Sequence, residues 1–101
     1  MDDKKYLEEL KVLPGLIQKH RPDLIIYLAG ADPFQEDRLG GFLLTKQGLM
    51  ERDTYVLGKC FEIGIPTAIV LGGGYTRNID DIVEIHLNTI RVVHKLLKVD
   101  V

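Results

Sequence analysis

The sequence predicts an α/β chain, a partial doubly wound parallel sheet with elements in the order α-β-α-β-α. Residues 24–28 (Leu-Ile-Ile-Tyr-Leu) and 67–71 (Thr-Ala-Ile-Val-Leu) are short, apolar runs rich in β-branched residues, without the polar alternation of a half-solvated sheet. Such runs predict strands covered on both faces. A stretch of helical length lies between them, and strands joined by a helical crossover run parallel, with a right-handed connection. Each run is followed by a segment rich in glycine or carboxylates, the composition of a loop rather than of a third strand.

Composition sets the outer limits. With 101 residues, 46% hydrophobic and 28% charged, the chain is expected to be a single soluble globular domain over residues 1–101, without repeats or linkers. A domain of this size buries only about two-thirds of its unfolded surface, so modest stability is expected. A net charge of -2 offers no basic field, and no aromatic residues interleave the scattered lysines and arginines, which disfavours nucleic acid as a partner. The N-terminus lacks a signal-like apolar core, and no apolar run reaches the roughly 18 residues of a membrane span. A single cysteine, Cys60, cannot form an internal disulfide; a buried thiol in a reducing cytoplasm is the expectation.

The elements follow in order. Asp2 or Asp3 caps a first helix to about His20, with Tyr6, Leu7, Leu10, Leu13 and Ile17 at helical spacing and a kink or break forced by Pro14-Gly15. Arg21-Pro22-Asp23 ends that helix and launches the first strand. Thr45 is the N-cap of a second helix to about Ile63, with Leu49, Val56, Leu57 and Cys60 inward, Gly64 as its left-handed terminus and Pro66 as its stop. Asn78 caps a last helix whose broad apolar stripe contains Ile82, Ile85, Leu87, Ile90, Val93 and Leu97. Helices are expected to cover both sheet faces, leaving two strand edges unpaired and open to another chain.

The two loops carry the candidate chemistry. Residues 28–41 (Leu-Ala-Gly-Ala-Asp-Pro-Phe-Gln-Glu-Asp-Arg-Leu-Gly-Gly) place Asp32, Glu36 and Asp37 after a buried strand, where carboxylates lose hydration unless a cation or hydrogen-bond donors compensate them. The alternative is a solvated acidic turn, with Asp37 paired to Arg38 or Arg52. Asp32, beside Pro33, suits backbone capping of the loop. Gly72-Gly73-Gly74 permits positive φ and close approach of a ligand; a phosphate cradle is one reading, although the spacing is neither a dinucleotide fingerprint nor a P-loop.

The loop wording, Ala29-Gly-Ala-Asp-Pro33 with Glu36-Asp-Arg-Leu-Gly-Gly41, resembles the C-terminal part of the metal-dependent histone deacetylase superfamily, nearest its class IV and bacterial acetoin-utilization-type members. Thr45 to Asp53 and Gly64-Ile-Pro-Thr-Ala-Ile-Val-Leu-Gly-Gly-Gly-Tyr75 continue the likeness in the same order, so that it covers about Pro22 to His86. The resemblance implies a C-terminal fragment of an arginase/deacetylase-like fold. It implies Asp37 as a zinc ligand, Tyr75 as the catalytic donor to a developing oxyanion, Gly73 and Gly74 as lining of an acyl-lysine channel, and Asp32 and Gly40 as loop-shaping residues.

The family's other zinc ligands come from an Asp-x-His motif and its acid–base pair from two adjacent histidines, and this sequence has neither. His20, His86 and His94 lie too far apart to complete a site. The resemblance therefore implies an enzyme part that is inactive alone, holding zinc only in a complete site, with the missing N-terminal deacetylase half or a homo-oligomer as partner. A non-catalytic interaction module that keeps the fold is the alternative, and a phosphate-binding module on Gly72 to Gly74 the third reading.

Overall fold

Local signals account for every element of the computed structural model, which describes residues 2–31, 34, 44–73 and 78–97. Helix α1 (Asp3–Glu9) starts where the Asp2 carboxylate accepts the Lys5 N–H at 3.0 Å. A 3-10 turn (Leu10–Val12) then separates it from α2 (Leu13–His20), which takes Pro14 into its first turn, where the missing N–H has no helical partner to lose. The expected break thus falls just ahead of Pro14. Arg21 closes α2 in the left-handed region, at φ 46, and donates its N–H to Ile17 O at 2.8 Å.

Strands β1 (Ile25–Gly30) and β2 (Thr67–Gly72) pair in parallel, from Ile25 opposite Thr67 to Gly30 opposite Gly72. The crossover is α3 (Lys46–Ile63), capped by the Thr45 hydroxyl accepting from Gly48 N–H at 2.9 Å and closed by Gly64 at φ 82. Helix α4 (Ile79–Leu97) follows β2, and Asn78 Oδ1 accepts the Asp80 N–H at 3.0 Å. The architecture is α/β with a small parallel sheet, as the apolar runs predicted.

Helices α3 and α4 cover one sheet face only. Tyr27 on β1 reaches Asp53 on α3, and Thr67 and Ile69 on β2 line an apolar cavity with Leu57, Cys60, Val93 and Leu96. The opposite face carries Ile26, Leu28, Ala68 and Val70, all exposed, with Leu28 at 71%. The expectation of two covered faces is corrected here. The first helical segments do not cross to the open face: α1 packs against α3, and Ile17 of α2 lines a groove with Ile63 and Ile65 at the α3 terminus. Apolar composition told that both faces are unsuited to water, not that this chain covers both.

The core gathers around Ala31, Phe34, Leu44, Leu49 and Ile85, with Tyr6 and Ile82 packed against it. Leu49, Val56, Leu57 and Cys60 point inward on α3 as expected. The α4 stripe is divided instead of continuous: Ile85 is buried and Ile82 and Val93 are half-buried, whereas Leu87, Ile90 and Leu97 are exposed; Val92, outside the predicted stripe, is buried.

Asp3 joins α1 to the start of α3. Its carboxylate accepts the Thr45 N–H at 2.8 Å and the Thr45 hydroxyl at 2.5 Å. A Cβ at Gly48 would run into that carboxylate. Gly48→Ala is therefore expected to destabilise the wild-type chain, while in an Asp3→Ala background it should stabilise by about 1 kcal/mol, the helix preference of alanine over glycine. Urea unfolding of the four variants checks this; the same sign in both backgrounds would rule the contact out.

Candidate functional site

Both strands end in glycine, and the register sets Gly30 beside Gly72 at the carboxyl edge, where ligands gather in open parallel sheets. Ala31 N–H still donates to Gly72 O at 3.1 Å, extending the pairing one residue beyond the strands. Gly73 follows at φ 72, a left-handed conformation that suits glycine. Phe34 and Leu44, both buried, form an isolated bridge, so the chain on either side of residues 35–43 is anchored in the core. Of the site residues predicted from sequence, Gly73 alone is described; Asp32, Asp37, Gly40, Gly74 and Tyr75 lie outside the described residues.

Beneath this edge lies a buried polar network. Asp53 on α3 is fully buried; its Oδ1 accepts from Tyr27 OH at 2.5 Å and from Arg52 Nε and Nη2 at 3.1 and 3.0 Å. Its Oδ2 accepts the Thr89 hydroxyl of α4 at 2.5 Å. Arg52, only 3% exposed, turns its remaining arm upward, and Nη1 donates to Gly30 O at 2.7 Å. Three elements are tied at one carboxylate.

The electrostatics agree with a closed network. Burial raises the Tyr27 phenol far above its ordinary value, with Asp53 adding to the shift and Arg52 opposing it. The phenol is thus held as a neutral donor. Burial works against charge on Arg52, but the Asp53 carboxylate bonded to it keeps the guanidinium protonated. With both oxygens engaged by donors, Asp53 has little left to offer a cation. Among the described residues, no three His, Cys, Asp or Glu side chains converge as a metal site.

His86 stands beside the network on α4. Its Nδ1 is buried without a hydrogen-bond partner among the described residues, and burial, with Arg52 nearby, lowers its pKa while Asp53 opposes the shift.

Sequence reasoning missed the network. Arg52 was weighed only as a surface partner for Asp37; it is buried and bound to Asp53. The available signal was positional: Asp53 falls at i+4 from Leu49 and at i−3 and i−4 from Val56 and Leu57, on the inward face of α3. A carboxylate there requires buried donors.

Comparison with known proteins bears on most of the chain. A family model described as "Histone deacetylase domain" matches residues 1–90. An uncharacterized protein of Picosynechococcus sp. is 44% identical over 87 residues, covering 85% of this chain and 29% of that protein. Histone deacetylase B of Dictyostelium discoideum is 44% identical over 81 residues, and Histone deacetylase RPD3 of Saccharomyces cerevisiae 36% identical over 81 residues. Each of these two alignments covers 78% of this chain and 18% of the relative. The chain therefore spans less than a third of the length of these relatives.

Two measurements probe the network. Thr89→Val leaves Asp53 Oδ2 without its donor and should cost about 1–3 kcal/mol in denaturant unfolding, whereas Asp53→Ala strands a buried guanidinium and should cost about 3–5 kcal/mol. The lowered pKa of His86 means that the unfolded chain takes up the proton first. Its contribution to stability is thus present above about pH 6.5 and lost as pH falls through the lower folded value. The stability difference between wild type and His86→Gln should shrink or reverse as pH falls through that window, and a pH-independent difference would contradict the assignment.

Proposed function

Because the chain belongs to the histone deacetylase family, we propose that it is the C-terminal part of a zinc-dependent amide hydrolase acting on acetyl-lysine or acetylated small amines. The observation that carries this reading is the pairing of Gly30 with Gly72: the segments bearing Asp37 and Tyr75 leave adjacent strands, about 4.8 Å apart, at one sheet edge.

Histone deacetylases are generally zinc-dependent. A catalytic zinc takes about three protein ligands, and among the described residues no such cluster occurs, so those residues do not hold the ion. Within a complete site, Asp37 is the carboxylate that this chain offers as one ligand. When bound, zinc supplies Lewis-acid polarisation of a carbonyl and activation of water. The remaining roles belong to the chain's own residues. The Tyr75 phenol donates a hydrogen bond to the substrate carbonyl oxygen as charge gathers on it, and Gly73 and Gly74 leave room for an extended acyl-lysine stem. Asp32 and Gly40 shape the loop that carries Asp37.

The other ligands and the acid–base groups fall to the part of the domain that the relatives have and this alignment does not reach, which makes that part the catalytic partner. Among the described residues no helix is long and apolar enough to cross a membrane. The compartment we propose is the cytoplasm, supported by the lone buried thiol of Cys60.

The test is a fusion in which this chain replaces the matched segment of Histone deacetylase B. The fusion should bind zinc and hydrolyse an acetyl-lysine peptide, while the isolated chain should do neither. In the fusion, Asp37→Asn should lower zinc content, and Tyr75→Phe should keep zinc but reduce turnover by about 100-fold. Turnover by the isolated chain, or equal zinc loss in the two variants, would overturn the reading.

A further inference from the structure

We propose that Arg52 is a positioning residue for the reaction proposed above: its bond to the Gly30 carbonyl fixes the point from which the segment bearing Asp37 leaves the sheet. The inference rests on the assignment of Asp37 made there. Arg52 touches neither substrate nor metal in this scheme and acts only through the backbone.

Strand polarity explains why this carbonyl takes its partner from a helix. Ile25 and Ala31 donate their N–H groups toward β2, to Pro66 O at 2.9 Å and Gly72 O at 3.1 Å. Backbone groups alternate in direction along a strand, so those of residues 26, 28 and 30 point away from β2. Gly30 is half-buried, and Arg52 Nη1 reaches its carbonyl at 2.7 Å. Pairing with Asp53 does not require that bond, because Nε and Nη2 already serve Oδ1. The guanidinium is a planar fork. With two arms on Asp53 and its centre 5.8 Å from the Tyr27 ring centroid, the direction of Nη1 is set. Arg52 therefore grips β1 at Tyr27 and again at Gly30, roughly 10 Å further along the strand.

What is held at Gly30 is passed onward. Ala31 is buried, donates to Gly72 O and accepts the Phe34 N–H at 3.0 Å. Phe34 in turn is buried and bridged to Leu44. Asp37 lies three residues past Phe34, within about 10 Å of chain from this run of anchors. A shift of the strand end displaces the whole run. Groups that orient a metal ligand without touching the metal are commonly worth about 10–100-fold in affinity or activity.

The test uses the fusion described above. Arg52→Lys keeps a positive charge beside Asp53, but one ammonium cannot hold both Asp53 and the Gly30 carbonyl in the geometry of the fork. It should lower zinc affinity, measured by competition with a chelator, about tenfold or more. Thr89→Val weakens the same network from α4 with the Arg52–Gly30 bond in place, so it should cost stability in urea and leave zinc affinity unchanged. Unchanged affinity in Arg52→Lys would overturn the inference, and so would the same loss in both variants, which would reduce the role of Arg52 to stability. Asp37→Asn separates this inference from the assignment beneath it. Zinc lost in Asp37→Asn but kept in Arg52→Lys overturns the inference alone, whereas zinc kept in Asp37→Asn overturns the assignment and the inference with it. Should Arg52→Lys fail to fold, amide hydrogen exchange of the wild-type chain decides: the Ala31 N–H is expected to exchange as slowly as that of Ala29, and exchange at the rate of a frayed strand end would overturn the proposal.

Discussion

A buried carboxylate that must not be left unpaired is the constraint on which the arrangement of this chain depends. Asp53 draws Tyr27 from β1, Arg52 from its own helix and Thr89 from α4 to one point, and Arg52 carries the restraint on to the last carbonyl of β1. A buried ion pair contributes little net stability compared with apolar packing, because desolvation offsets most of the attraction. Its effect is geometric. Apolar contacts tolerate small slides, whereas hydrogen bonds of 2.5–3.1 Å fix the separation of three elements and with it the edge from which both loops depart.

The chain is thin for its composition. One sheet face and one side of α4 remain apolar and exposed, although the core around Leu44, Leu49 and Ile85 is closed. An ordinary monomer of this size scatters its exposed apolar residues; here they recur at helical spacing on α4 and at alternate positions on the strands. Repetition at the period of the element makes each of these a continuous apolar surface. The sheet face also fits the share of the relatives that this chain spans, since a parallel sheet is ordinarily covered on both sides.

What was legible in the sequence was local. Thr45, Gly64, Asp2 and Pro14 announced helix ends because caps and breaks are decided within a few residues of the chain. The two strands were legible because β-branched runs of that length have few alternatives. Which face of each strand meets a helix is a tertiary matter, and Ile26 looks no different from Ile25 until the helices are in place. Arg52 and Asp53 escaped notice for the opposite reason: charged residues are usually solvated, so their helical phase was not given weight. The reading of Asp37 and Tyr75 came from the order of several motifs, not from any physical pattern in either loop.

Counting acceptors narrows where a metal-binding role can fall. Asp53 is saturated by Tyr27, Arg52 and Thr89, and Asp3 is engaged with Thr45. Asp81 and Glu84 share Lys46, and Asp2 caps α1. The other described carboxylates do not converge with histidine or cysteine as a ligand set. A cation needs acceptors gathered at one place and not already occupied by donors. Among the described residues none meets both conditions, so these carboxylates serve the fold: Asp53 and Asp3 join elements, Asp2 caps α1, and Asp81 and Glu84 hold Lys46.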